Sequence, residues 1–163
     1  MQEQEEKFFF GEYTHALDSQ NRVAIPREWR QRGESTRLIL FPGSDNDLLL
    51  FPIASFQDFM IQARKKSFTN RKIRDVLALV GARSSECICD KQGRIKLPAK
   101  HLGTANITTQ ITMVGAFTHI KLCSPENWQN IENSSGSCLD KLEEIDDDKD
   151  SDLVQLLQSL ANK

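Results

Sequence analysis

At 163 residues, 39% hydrophobic and 27% charged, the chain suits one compact globular domain or two small fused ones. A formal charge of −2 argues against nucleic-acid binding if the chain is taken whole, but residues 132–163 hold nine acids and three lysines, a net of −6, which leaves residues 1–131 at +4. No apolar run approaches the ~18 residues that cross a bilayer, so no membrane association is expected. The acidic lead Met1–Lys7 lacks a signal peptide's basic start and apolar run, which makes a cytoplasmic location the expectation. Of the four cysteines, Cys87 and Cys89 are one residue apart and Cys123 and Cys138 stand alone. There is no C-x-x-C knuckle, and His15, His101 and His119 fall at no ligand spacing with the thiols. Neither a metal nor a cofactor is expected, and the thiols read as small buried or incidental groups.

In chain order, Phe8–Gly11 opens a first strand that continues through Tyr13–Leu17. The loop Asp18-Ser19-Gln20-Asn21 follows, and Arg22–Ile25 returns as a strand. Asn21 precedes Arg22 and suits the left-handed position of a tight turn, while Asp18 can accept backbone N–H bonds from two residues on. Pro26 at the strand end starts a short helix through Arg30, stopped by Gly33, with Trp29 facing the core. Arg37–Phe41 and Leu48–Phe51 form an apolar hairpin across the turn 42–47. It is too apolar to face water on both sides.

From Ile53 the period becomes helical, with Phe56, Met60 and Ala63 on one face and Ser55 a candidate N-cap. Residues 67–70 break that helix. A second helix carries Ile73, Val76, Leu77 and Val80 and ends near Gly81. The bases Arg64, Lys65, Lys66, Arg71, Lys72 and Arg74 gather at the junction, as either a solvated helix end or a recognition helix. Beyond the pair come a strand at Ser85–Cys89, the loop Asp90-Lys91-Gln92-Gly93, a strand at Arg94–Leu97, a short helix near Pro98–Leu102 and a hairpin across Ile111–Leu122. A closing helix starts around Ser124–Glu126, followed by a flexible linker at Asn133–Ser137. The segment Leu139–Leu160 reads either as a docking amphipathic helix or as disorder.

The second half replays the first at an offset of 72 residues without a gap. Asp18, Gln20, Arg22, Pro26, Thr36, Gly43 and Leu50 meet Asp90, Gln92, Arg94, Pro98, Thr108, Gly115 and Leu122. Val23 with Ile95, Ile25 with Leu97 and Phe56 with Trp128 are conservative pairs. The chain is therefore an internal duplication, expected as repeats over 8–60 and 82–132, a helical linker over 61–81 and an acidic tail over 133–163. Each copy alone would leave long apolar strand edges, so the two are expected to interleave into one small barrel. Intraloop ion pairing would explain Asp18–Arg22 and Asp90–Arg94 at under ~1 kcal/mol each. It does not explain why both copies carry arginine, whereas a planar fork that grips phosphate or a guanine edge does.

The doubled Asp-x-x-x-Arg loop, with matching flanks over roughly Phe10–Trp128, resembles the MraZ family of bacterial transcriptional regulators, relatives of the AbrB-like swapped-hairpin DNA-binding proteins. Asn21 departs from the glycine common there, without disturbing the turn. The resemblance implies an α+β fold: a swapped-hairpin β-barrel built from two tandem AbrB-like repeats, with short helices and a linking αα pair. It further implies a ring-shaped homo-oligomer on double-stranded DNA, at direct repeats in the promoter of the division and cell-wall gene cluster, and hence nucleoid association. Arg22 and Arg94 are expected to read the DNA with Asp18 and Asp90 as orienters. Gln20, Gln92, Asn21, Lys91, Lys96 and Arg27 stand around them as further DNA-binding candidates. An enzyme is not expected, since the chain has no Ser/His/Asp or Cys/His constellation and no Gly-rich phosphate loop. The alternative is a non-enzymatic protein-interaction ring, or an antidote-like regulator that binds a partner through the acidic tail.

Overall fold

A computed structural model describes residues 7–33, 35–67 and 69–134. In order they form β1 (Glu12–Ala16), β2 (Arg22–Ala24), a 3-10 turn (Arg27–Trp29), β3 (Arg37–Pro42), β4 (Leu48–Pro52), α1 (Ile53–Ser67) and α2 (Arg71–Arg83). The second copy supplies β5 (Ser85–Ile88), β6 (Arg94–Lys96), α3 (Ala99–Thr104), β7 (Gln110–Gly115) and β8 (Ile120–Cys123), before α4 (Pro125–Ser134). By contacts the chain divides into Met1–Pro125 and Glu126–Lys163. The class is α+β, with every strand pairing antiparallel.

Strand pairing crosses between the copies. One sheet runs β1-β7-β8-β4-β3-β5, and β2 and β6 form a separate two-stranded ribbon. The first strand of each copy lies on the third strand of the other, β1 on β7 and β5 on β3. The expected hairpins β3–β4 and β7–β8 are present. The strands flanking each Asp-x-x-x-Arg loop, by contrast, close their turn and then part to pair with the other copy. Val23 faces Ile95 at the middle of the ribbon and Leu49 faces Lys121 in the sheet. Both are equivalent positions at the 72-residue offset, so a pseudo-two-fold axis passes through them. The strand pairing is symmetric about it, and the sheet order reads the same from either end once the copies are exchanged.

Alternation along the strands explains the core. Leu38, Leu40, Leu48 and Leu50 of the first copy and Ile111, Met113, Ile120 and Leu122 of the second are buried together, with Val23 and Ile95 closing the ribbon side. Trp29 is a core anchor as expected. It stands edge-on to Phe9 and Tyr13 at 6.0 and 5.1 Å, and its Nε1 donates to the Phe10 carbonyl at 3.0 Å. Cys87, Cys89 and Cys123 are buried free thiols. Burial pushes Cys87 up to about 12 and Cys123 up to about 11, so neither is a reactive thiolate near neutral pH.

The helices depart from expectation in detail. Helix α1 begins at Ile53, directly from the strand ended by Pro52, so Ser55 lies within its first turn and does not cap it. Asn70 is the residue that caps, accepting from the N–H groups of Lys72 and Ile73 and starting α2. That helix passes Gly81 and ends at Arg83, where a Cβ on Gly81 would meet open space. His101 of α3 lies 2.8 Å from the Arg83 carbonyl through Nε2, tying the second copy to the end of the helical pair. Asn133 and Ser134 belong to α4 rather than to a linker. The rest of that linker, Cys138 and the segment Leu139–Leu160 lie outside the described residues. No helix among the described residues is long and apolar enough to cross a membrane.

Candidate nucleic-acid interface

The two Asp-x-x-x-Arg loops have the same construction, bond for bond. In the first, Asp18 Oδ1 accepts from the backbone N–H of Gln20 and of Arg22, each at 2.9 Å, and Oδ2 accepts from Arg22 Nε at 2.7 Å. The main chain closes it through Asp18 N to Arg22 O and Asn21 N to Asp18 O, both 3.0 Å. In the second, Asp90 Oδ1 accepts from Gln92 N at 2.9 Å and Arg94 N at 3.0 Å, and Oδ2 from Arg94 Nε at 3.0 Å. Asn21 has φ 59° and Gly93 φ 76°, the left-handed position expected from their residue types. A carboxylate that binds backbone and guanidinium at once fixes where the arginine leaves the loop.

The cross-copy ribbon brings the loops side by side. Ile25 N donates to Gly93 O at 2.8 Å, and Leu97 N to Asn21 O at 2.9 Å. Because side chains alternate, burying Val23 and Ile95 turns Arg22, Ala24, Arg94 and Lys96 to the opposite, outer face. Arg94 Nη1 also approaches Asp18 Oδ2 at 3.8 Å, so both arginines converge on one oxygen. Their side chains are 29% and 30% exposed, held yet open to solvent. A basic two-stranded ribbon has the width that a DNA major groove admits.

Both loop carboxyls titrate below the usual range. The largest cause for Asp18 is the hydrogen bond from the Arg22 backbone, and for Asp90 the one from Arg94; contacts from Gln20, Gln92 and the guanidiniums add to it. A carboxyl depressed in the fold adds order that is complete above its unfolded value of roughly 3.9 and lost as pH falls through the folded value. The backbone amide shifts of Gln20, Arg22, Gln92 and Arg94 should therefore hold steady from neutral pH down to about 4 and move together below it. Amide shifts that titrate at or above ordinary carboxylate pH would contradict the carboxylate-stapled loop.

The remaining candidates fall in two places. Gln20 and Gln92 are exposed at the loop tips, and Lys96 is exposed on the ribbon's outer face. Lys91 and Arg27 line a cleft of about 890 Å³ beside the second loop, together with Lys7, Arg30 and Arg32, which the sequence reading did not single out. The duplication did carry a signal for Arg30, because the matching position in the second copy is the buried Leu102. Among the described residues no group of three or more His, Cys, Asp or Glu side chains is placed to hold a metal ion.

A family model described as "MraZ protein, putative antitoxin-like" matches residues 8–79 and again 81–149. A protein of Clostridium tetani named "Transcriptional regulator MraZ" is 34% identical over 128 residues, covering 78% of this chain and 89% of the relative. One of the same name from Herpetosiphon aurantiacus is 35% identical over 126 residues, covering 77% and 87%. A third, from Carboxydothermus hydrogenoformans, is 32% identical over 137 residues, covering 83% and 94%.

Proposed function

The chain belongs to the MraZ family, and from that premise we propose that it is a transcriptional regulator, not an enzyme, which binds double-stranded DNA through its two Asp-x-x-x-Arg loops. The observation that carries this reading is the convergence of Arg22 and Arg94 on Asp18 at the outer face of a basic ribbon. In it, Arg22 and Arg94 contact base edges or phosphates, Asp18 and Asp90 orient them, and Gln20, Asn21, Gln92, Lys91, Lys96 and Arg27 flank the contact. The repeats 8–60 and 82–132, joined through 61–81, close into a swapped-hairpin barrel.

One subunit offers few contacts on a weakly charged core, so a single engagement is weak. A head-to-tail interface that closes into a ring repeats the loops at fixed spacing and makes later engagements intramolecular, raising avidity by ~10²–10⁴. Such a ring fits promoter direct repeats about one helical turn (~10 bp) apart, in the division and cell-wall gene cluster, and places the protein in the cytoplasm on the nucleoid. Footprinting on the DNA upstream of the protein's own gene tests this. Protected repeats with that spacing are expected, with log affinity falling against log salt by about 0.9 per phosphate contact. An unprotected region and salt-independent retention would point instead to a protein-interaction ring.

A further inference from the structure

Among the described residues, the cleft beside the second loop is lined by more cations than carboxylates. Its described lining contains Lys7, Arg27, Arg30, Arg32 and Lys91 against the carboxylates Glu28 and Asp90. Arg30 Nε is buried there with no hydrogen-bond partner among the described residues. The Arg30 guanidinium lies over Gly93, where a Cβ would come within 2.1 Å of Nη1 and 2.5 Å of Cζ. Gly93 thus serves two ends, a left-handed turn and the room for this side chain. Lys7 Nζ donates to the Arg30 carbonyl, and its pKa is lowered by burial and by the nearby Arg32 charge. Cations crowd at this place.

The duplication shows that the crowding is particular to one loop. At the 72-residue offset, Arg27, Arg30 and Arg32 correspond to Ala99, Leu102 and Thr104, while Lys91 and Gly93 correspond to Ser19 and Asn21. Of the matching positions, only Lys100, in the place of Glu28, is positively charged. A fold that needed these side chains only for packing would have used the second copy's set. We infer that this cleft is a phosphate-binding site, in which Arg30, Arg32 and Lys91 hold the phosphate oxygens of either a small free di- or triphosphate or the DNA backbone beside the second loop. Its volume lies in the range of small-molecule sites.

The test uses the full chain, inorganic pyrophosphate as the probe and calorimetry as the readout. Saturable binding of one pyrophosphate per chain is expected, weakened at least about tenfold in Arg32→Thr and in Arg30→Leu, the residues the second copy itself uses. A Lys65→Ala/Lys66→Ala chain, altered on α1 away from the cleft lining, should bind pyrophosphate normally. If pyrophosphate does not saturate but Arg32→Thr lowers DNA affinity and flattens the salt slope by about 0.9, the phosphate comes from the backbone. Arg32 is exposed, so this variant remains informative even if Arg30→Leu fails to fold. Failure of both arms, or equal weakening by the α1 double substitution, would overturn the site. Only the backbone arm rests on the DNA reading; in the free-phosphate arm Arg22→Ala/Arg94→Ala should bind pyrophosphate normally whether or not it binds DNA.

Discussion

A chain carrying Arg22→Ala and Arg94→Ala is expected to keep its fold and lose specific binding to its operator. Both side chains leave the outer face of the ribbon while Val23 and Ile95 provide its buried contacts, so truncation opens no cavity. A good bidentate arginine–base pair is worth about 1–3 kcal/mol, roughly 5-fold to 150-fold in affinity, and each chain presents two such arginines. In a multivalent assembly the losses compound across the engaged subunits. Arg22→Lys separates charge from shape. If the fork matters, lysine keeps salt-sensitive, non-specific binding and loses discrimination between operator and unrelated DNA. Asp18→Asn should affect operator binding more than Asp90→Asn, because Asp18 Oδ2 receives both guanidiniums. A mobility-shift titration against operator and scrambled duplex reads all of these, and an unchanged operator affinity in the double alanine chain would end the assignment.

The largest effect on stability is expected at Lys121→Met. Asp47 is a charged residue with only 7% of its side chain exposed, and Lys121 Nζ meets its Oδ2 at 3.1 Å across the β4 and β8 region. The carboxylate also lies against Gly43, where a Cβ would come within 1.9 Å of Oδ1, so it has little room to turn outward. Removing the lysine leaves the buried carboxylate with the Asp45 N–H at 3.3 Å but without its cation, a change that costs about 3 kcal/mol or more. Thermal unfolding should fall by roughly 6–12 °C. Adding Asp47→Asn should recover most of that loss, since the stranded charge is then gone. A Lys121→Met melting curve matching the unaltered chain would show the pair to be unimportant to the fold.

Local features were the ones legible in the sequence. The duplication, the turn residues Asn21 and Gly93, the apolar strands 37–42 and 48–52 and the inward-facing Trp29 each depend on a few neighbouring residues. Interleaving of the copies was expected from their apolar edges, but the individual partners were not: β1 and β2 flank a closed turn, yet their ladders go to β7 and β6 because burying Val23 against Ile95 and completing the sheet outweigh the local hairpin. The cap of α1 was misplaced because Pro52 passes from strand to helix directly, leaving Ser55 no cap position. At the loops, Asp18, Arg22, Asp90 and Arg94 were readable from spacing. The cation cleft was not, because Lys7, Arg30, Arg32 and Lys91 are scattered in sequence and only the cross-copy ribbon gathers them.

The exchange of strands between copies also governs how the protein is made. Glu12 finds its antiparallel partner in Val114, so the first strand cannot be paired until the second copy has been synthesised. At about 5–20 residues per second, a nascent chain stays incomplete on the ribosome for roughly 5–20 s with that edge open. Through most of this interval the leucines of β4 await their partners in β8 and those of β3 theirs in β5, and a holdase chaperone has its opportunity to act.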